Sequence, residues 1–412
     1  MSAAQRITFK GSSGTELAAR LDMPAGPPRA LAVFAHCFTC SKDVYAVSRT
    51  SAELNEQGIG VLRFDFTGLG HSDGDFANTN FSSNLEDLRL AVLWLSENHE
   101  APQLLIGHSF GGAAVLAVAG EFESIRAVVT IAAPAELSHV AGVLGEINPE
   151  VLEADEPVEV QLAGRPFTIK PQFIEDLGHH RITKAVAEMR KALLVIHSPL
   201  DNVVGIDHAE RIFAAARHPK SYLSIQADHL LTRRGEAEYV ARAIGTWAER
   251  YIKVPDSYPA PDASAQVVVG ETGQGKFLNH VVAGRHRSLA DEPESIGGFD
   301  AGMSPYDYLA AALGACTSMT IRMYADHKNL PLDRVVVEVD HDKIHSDDSA
   351  AASGGVRRRV DQFTRRLYLT GDLDDAARQR MTEIADRCPV HLTLHESSKI
   401  VTELMDEGST PG

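Results

Sequence analysis

Ser109 stands between two glycines in Gly107-His108-Ser109-Phe110-Gly111, where the apolar run Leu104 to Ile106 gives way to the Ala-rich stretch Ala113 to Ala119. A short buried strand followed by a tightly packed helix leaves the serine in the sharp turn between them. A nucleophile held in such a turn needs neighbours without Cβ atoms, and the helix behind it aims free N–H groups at any negative charge forming there. The chemistry this implies is attack of a hydroxyl on an acyl carbon. A hydroxyl is a poor nucleophile at neutral pH, so it needs a general base, and the base needs a carboxylate to orient it. Asp201 in His197-Ser198-Pro199-Leu200-Asp201 and His229 in Ala227-Asp228-His229-Leu230-Leu231 follow Ser109 in the order serine, acid, histidine. Taken singly, Asp201 reads as a turn or N-cap aspartate and His229 as a loop histidine. Three residues in that order, each at the end of an apolar run, carry the argument. Asp207 and Asp228 stand as alternative acids and His197 as an alternative base.

The elements that would position these residues alternate in type. Residues 6–10 and 16–22 read as an antiparallel pair. Ala30 to Ala35, Gly60 to Phe64, Leu104 to Ile106, Ala127 to Ile131, Leu193 to Ile196 and Tyr222 to Ile225 are apolar strand-like runs separated by helical segments. That pattern predicts a mostly parallel sheet covered by helices on both faces, with its chemistry beyond the carboxyl ends of the strands. Two further polar stretches fall at such ends, His36-Cys37-Phe38-Thr39-Cys40 and Asp65-Phe66-Thr67-Gly68-Leu69-Gly70-His71-Ser72. The second is not a dinucleotide fingerprint, because the third glycine would fall on Asp73.

The first 250 or so residues resemble an alpha/beta hydrolase, on GHSFGG, DFTGLGHS, HSPLDNVV and ADHLL. In that family one oxyanion N–H belongs to the residue after the nucleophile, here Phe110. The other belongs to the residue after a His-Gly pair, here Phe38, with Cys37 standing where the family has glycine. The resemblance implies a serine hydrolase acting on carboxylic esters or related acyl bonds, with no cofactor. Residues from Pro134 to about 188, a polar and apolar mixture with few strand signals, fall where this fold carries its cap.

The chain has 412 residues, a hydrophobic fraction of 44% and a formal charge of −17, which predicts two soluble globular domains. The acidity is shared by both halves and argues against nucleic acid or anionic membrane as a partner. The run Arg357-Arg358-Arg359 reads as a solvated edge. No stretch approaches the roughly 18 apolar residues of a membrane span, and the N-terminus lacks a signal peptide's apolar core, so a cytoplasmic protein is expected. Four cysteines are too few for a disulfide scaffold. Cys37 and Cys40, the one C-x-x-C, are expected to be packed thiols, with reactive thiols open to substrate or oxidant as the competing reading, and no spacing suits a metal.

The Pro-rich stretch 255–265 reads as a semi-rigid linker between a domain over 1–254 and another over 266–412. In the second, Gln266 to Gly270 and Lys276 to Ala283 predict a hairpin. Ser304-Pro305-Tyr306-Asp307 opens a long helix to about His327 as a capping box. Val335 to His341 and Asp361 to Leu369 read as strands, and Asp374 to Arg387 as an amphipathic helix ended near Cys388 by Pro389. The content is α+β, with one cysteine expected on each of two helices.

This region, about 264–405, resembles the OsmC family, which includes the organic hydroperoxide resistance proteins, on DEPESIGGFDAGMSPYDYLAAALGACTSMTIRMYA and DRCPVHLTL. The resemblance implies a peroxidatic cysteine at Cys316, a resolving cysteine at Cys388, an organic hydroperoxide substrate, an external dithiol reductant and a homodimer formed through this domain. It also implies an arginine, Arg285 or Arg287, held by an acidic residue at Asp307 to keep the thiolate charged. Helix capping already accounts for Asp307, and a surface strand for the arginines. Two functions follow as expectations. One is a fused serine esterase and thiol peroxidase; the other is an esterase whose second half is a non-catalytic dimerisation and pocket scaffold.

Overall fold

A computed structural model describes residues 4–38, 40–153, 155–162, 165–345, 359–396 and 398–405. The chain divides into two compact units, Met1–Asp256 and Ser257–Gly412. Arg357 and Arg358 lie outside the described residues.

The strands of the first unit are β1 (Ala4–Lys10), β2 (Glu16–Asp22), β3 (Ala30–Ala35), β4 (Ile59–Phe64), β5 (Leu104–His108), β6 (Ala127–Ile131), β7 (Val158–Leu162), β8 (Arg165–Ile169), β9 (Ala192–His197) and β10 (Lys220–Ser224). Eight of them form one sheet in the order β1-β2-β4-β3-β5-β6-β9-β10, antiparallel at β1-β2-β4 and parallel from β4 onwards. This is the mostly parallel sheet expected from the alternation of runs, and the alpha/beta hydrolase fold that the resemblance implied. Strand periodicity explains why the central runs are apolar at every position. In β3, Leu31, Val33 and Ala35 enter one core while Ala30, Ala32 and Phe34 enter the other. Helices α1 (Tyr45–Glu56) and α9 (Arg234–Ala248) cover the second face. The first is covered by α2 (Phe81–Asn98), α3 (Phe110–Val118), α7 (Ile182–Glu188) and α8 (Ile206–Ala215).

The cap differs from its expected character. Besides α4 (Ser138–Ile147), α5 (Glu150–Glu153) and α6 (Pro171–His179) it contains the hairpin β7-β8. Val160 and Ile169 bury their side chains in the core while their neighbours stay outside, an alternation too short to register in the sequence.

The second unit contains a three-stranded sheet of β11 (Val268–Glu271), β12 (Asn279–Ala283) and β13 (His286–Ala290), and a long antiparallel pair of β14 (Leu332–His345) and β15 (Arg359–Gly371). The hairpin expectation missed β13, whose first residues are polar and exposed. Helices α10 (Pro305–His327), α11 (Asp375–Ala385) and α12 (Pro389–His395) complete it. Ser304 and Asp307 form the expected reciprocal capping box on α10. Ile321, Ala325, Leu332, Met381 and Ala385 make its core. Cys316 lies on α10, but Cys388 does not lie on the preceding helix. Pro389 starts a new helix, and Cys388 is its N-cap.

Candidate functional site

Ser109 joins β5 to α3 with φ 53° and ψ −119°, a conformation L-residues adopt only under constraint. The constraint is close packing. A Cβ on Gly107 would stand 2.3 Å from the Gly111 carbonyl oxygen, and one on Gly111 would stand 2.3 Å from that of Ala35. The Ser109 N–H is bonded to the Ile131 carbonyl at 2.8 Å, which anchors the elbow to the next strand.

The three residues singled out by order meet. His229 Nε2 lies 2.9 Å from Ser109 Oγ, and His229 Nδ1 lies 2.8 Å from Asp201 Oδ2. With Nδ1–H donating to the carboxylate, Nε2 is left to accept the serine proton. Burial pushes the Asp201 carboxyl up. The bond from His229 and those from the Val204 and Val203 N–H groups outweigh it, holding the carboxyl below its usual range. The alternatives are occupied elsewhere. Asp207 opens α8, and Asp228 accepts from the Leu230 and Thr232 N–H groups in its own turn. His197 Nε2 donates to the Val204 carbonyl at 2.8 Å and stands behind the acid.

His108, inside the elbow motif, touches the histidine loop, and sequence reading did not single it out. Its buried Nε2–H donates to the His229 carbonyl at 2.7 Å and ties the histidine loop to β5. Burial, reinforced by the neighbouring His229, lowers its pKa from 6.5 to about 4. Because the unfolded chain then binds the proton more readily than the folded one, stability is lost as pH falls from 6.5 towards 4. His108 should contribute a loss of about 2 kcal/mol between roughly pH 7 and pH 5. Urea midpoints of wild type and His108→Gln, which retains a donor, should therefore converge as pH falls. Parallel profiles would refute this account.

Phe110 is the first residue of α3, and Phe38 follows β3. Their rings meet edge-on at 5.1 Å, and Phe38 also packs against Phe76 and Phe173. Both line a mostly apolar cavity of about 260 Å³, with Ser109, His229 and, from the cap, Val140 and Leu144. Such a lining suits an acyl group. Cys37 borders the same cavity, and here the expectation of packed free thiols is overturned. A turn in which the Cys40 N–H bonds the Cys37 carbonyl brings the two Cα atoms to 5.2 Å, and the residues are joined as a disulfide.

In the second unit Cys388 is buried and Cys316 partly exposed. Burial pushes the Cys388 thiol up, but bonds from the His391 N–H, the Cys316 thiol and the Thr317 hydroxyl bring it below its ordinary value. The two cysteines are therefore brought together. The residues expected to support them are not. Asp307 is used in the α10 cap, and Arg285 and Arg287 are exposed in and beside β13. The nearby guanidinium is Arg365, which donates to Thr317 Oγ1 and the Ala385 carbonyl, each at 2.9 Å, and to Asp386 at 2.6 Å. A signal for it exists: Arg365 shares one face of β15 with the core residues Leu367 and Leu369. Among the described residues there is no group of acidic, His or Cys side chains suited to a metal, and no helix long and apolar enough to cross a membrane.

Comparison with known proteins follows the same division. The family model of serine aminopeptidase, S33, matches residues 26–153, and that of the OsmC-like proteins matches residues 298–403. The esterase domain of a Rhodothermus marinus protein, solved as a crystal structure, is 47% identical, with a TM-score of 0.50; the match covers 60% of this chain and 99% of that one. Monoacylglycerol lipase of Mycolicibacterium smegmatis is 22% identical over 275 residues, 58% of this chain and 95% of that protein. Mitochondrial palmitoyl-protein thioesterase ABHD10 of Mus musculus is 27% identical over 157 residues, 36% of this chain and half the length of that protein. Near-complete coverage of an esterase domain at this identity, on a sheet of this order, makes the chain a member of the alpha/beta hydrolases, esterase- and lipase-like in its first domain and OsmC-like in its second.

Proposed function

We propose that the first domain cleaves carboxylic esters or related acyl bonds through Ser109. The observation that carries this is the hydrogen-bonded series Ser109, His229, Asp201 opening on an apolar cavity. Ser109 Oγ attacks the carbonyl carbon as its proton passes to His229 Nε2, and Asp201 stabilises the imidazolium. The Phe38 and Phe110 N–H groups stabilise the resulting oxyanion. Collapse of the tetrahedral intermediate expels the alkoxide, which takes the proton from His229. Water activated by the same histidine then releases the acid and restores the serine. The substrate class is a small acyl ester, and a thioester uses the same steps. A p-nitrophenyl phosphonate tests this reading: it should inactivate the enzyme at one equivalent and label Ser109, as read by peptide mass spectrometry. Stoichiometric labelling of another residue would overturn it.

For the second domain the reading is reduction of organic hydroperoxides through Cys316 and Cys388, with an external dithiol closing the cycle. The proximity of the two thiols and the lowered pKa of Cys388 support it. Arg365 is assigned as a positioning residue through Thr317. A second reading, a dimerisation scaffold, is favoured by α10, which leaves Ala312, Ala315, Met319 and Met323 exposed along one face. A face of that kind suits a second copy of the domain.

A further inference from the structure

Three arginines stand in one row across the antiparallel end of the large sheet. Arg6 of β1 is opposite Arg20 of β2, and Arg20 is opposite Arg63 of β4. Directly opposed residues project from the same face, and like charges placed this way repel. The row forms a wall of a cavity of about 820 Å³. Lys42 and Arg49 add to it, so that five cationic side chains and His71 line the cavity against two carboxylates, Asp22 and Asp43. That balance is the reverse of a chain with formal charge −17.

Most of these cations are already engaged. The buried Arg63 donates through Nε to Asp22 at 2.6 Å and through Nη1 to Asp43 at 3.0 Å. The buried Lys42 is held by Asp65 at 2.8 Å and by Asp43 at 3.1 Å, and Arg49 donates to Glu238 at 2.9 Å. The inner end of the row is therefore fixed. At the outer end, Arg20 uses only Nε, donating to Asp22 at 3.0 Å, and Arg6 has no hydrogen bond or ion pair among the described residues. Two neighbouring guanidinium groups thus keep their outer donors free. Small side chains, Ala18 of β2 and Ala52 of α1, leave the space before them open.

We propose that this cavity binds a phosphorylated small molecule, whose phosphate oxygens bridge Arg6 and the free edge of Arg20. Guanidinium groups match tetrahedral oxyanions with paired donors, and an anion there removes the like-charge repulsion of the row. A phosphate accepts from both arginines at once through separate oxygens, and the remaining space takes the organic part of the ligand. All lining residues belong to the first unit, none belongs to the Ser109 cavity, and the inference does not rest on the esterase reading.

Calorimetric titration of the full chain with pyrophosphate at low ionic strength tests it. Wild type should bind with saturation at one site, and Arg6→Gln/Arg20→Gln should weaken binding by roughly tenfold or more. A retained cooperative thermal transition would show that the variant is folded. Should the double variant fail to fold, the exposed single variant Arg6→Gln serves. Without ligand it should melt about 1 °C higher than wild type, since repulsion is relieved, and with pyrophosphate it should lose the stabilisation wild type gains. Absence of saturable binding in wild type overturns the proposal. So does equal binding by the variant, or equally tight binding of succinate, which carries two carboxylates and no phosphate.

Discussion

Replacing Ser109 with alanine should lower p-nitrophenyl ester turnover by roughly 10³-fold or more while leaving the thermal transition in place. The size follows from what is lost. Without Oγ the reaction would have no acyl-enzyme path, and only binding and the proposed Phe38 and Phe110 donors would remain. The fold should tolerate the change because Ser109 is held by its backbone, through the bond to Ile131 and the glycine contacts on either side, and not by its hydroxyl. Alanine at φ 53° is no more strained than serine. Asp201→Asn supplies the companion measurement. It keeps the side chain's shape but favours the wrong tautomer of His229, so turnover should fall with the geometry intact. Retained turnover in Ser109→Ala would sink the nucleophile assignment; a lost transition would mean the elbow needs the hydroxyl.

The first domain's candidate site is legible in the sequence because the chemistry it suggests is local. Two glycines and a serine must share one turn, and the acid and the histidine must each follow a strand, so type and spacing are visible without a structure. The strand runs are equally plain, since β3, β4, β5, β6 and β9 are buried on both faces and leave no polar alternation. What the sequence hides is pairing across distance. His108 reads as a variable motif position, and only its contact with the His229 carbonyl gives it a task. Arg285, Arg287 and Asp307 were suggested by resemblance, whereas Arg365, inside the expected strand Asp361 to Leu369, is tied to Cys388 through Thr317, a pairing across distance that no spacing announces. Arg6, Arg20 and Arg63 are likewise unremarkable singly. Their row exists only through strand register.

Cys316→Ser should reduce the consumption of cumene hydroperoxide from about one equivalent per chain to none, and this separates the two readings of the second domain. In the reading with chemistry, the Cys316 thiolate attacks the distal peroxide oxygen, the alkoxide leaves and takes a proton, and a sulfenic acid remains on Cys316. The Cys388 thiol then attacks that sulfur, forms the disulfide and releases water; a dithiol returns both thiols by exchange. Partial exposure gives Cys316 access to the peroxide, while the buried and acidified Cys388 stands as the resolving partner. Cys388→Ser should therefore still take up about one equivalent but stop at a sulfenic acid that dimedone traps. Reduction before the experiment also opens the Cys37–Cys40 disulfide. Uptake alone is then ambiguous, and peptide mapping must show which sulfurs have reacted. A Cys316–Cys388 bond in wild type and none in either variant establishes a thiol peroxidase. Unreacted Cys316 in the wild type, with ester turnover unchanged, leaves the domain as a scaffold whose exposed α10 face meets a second copy.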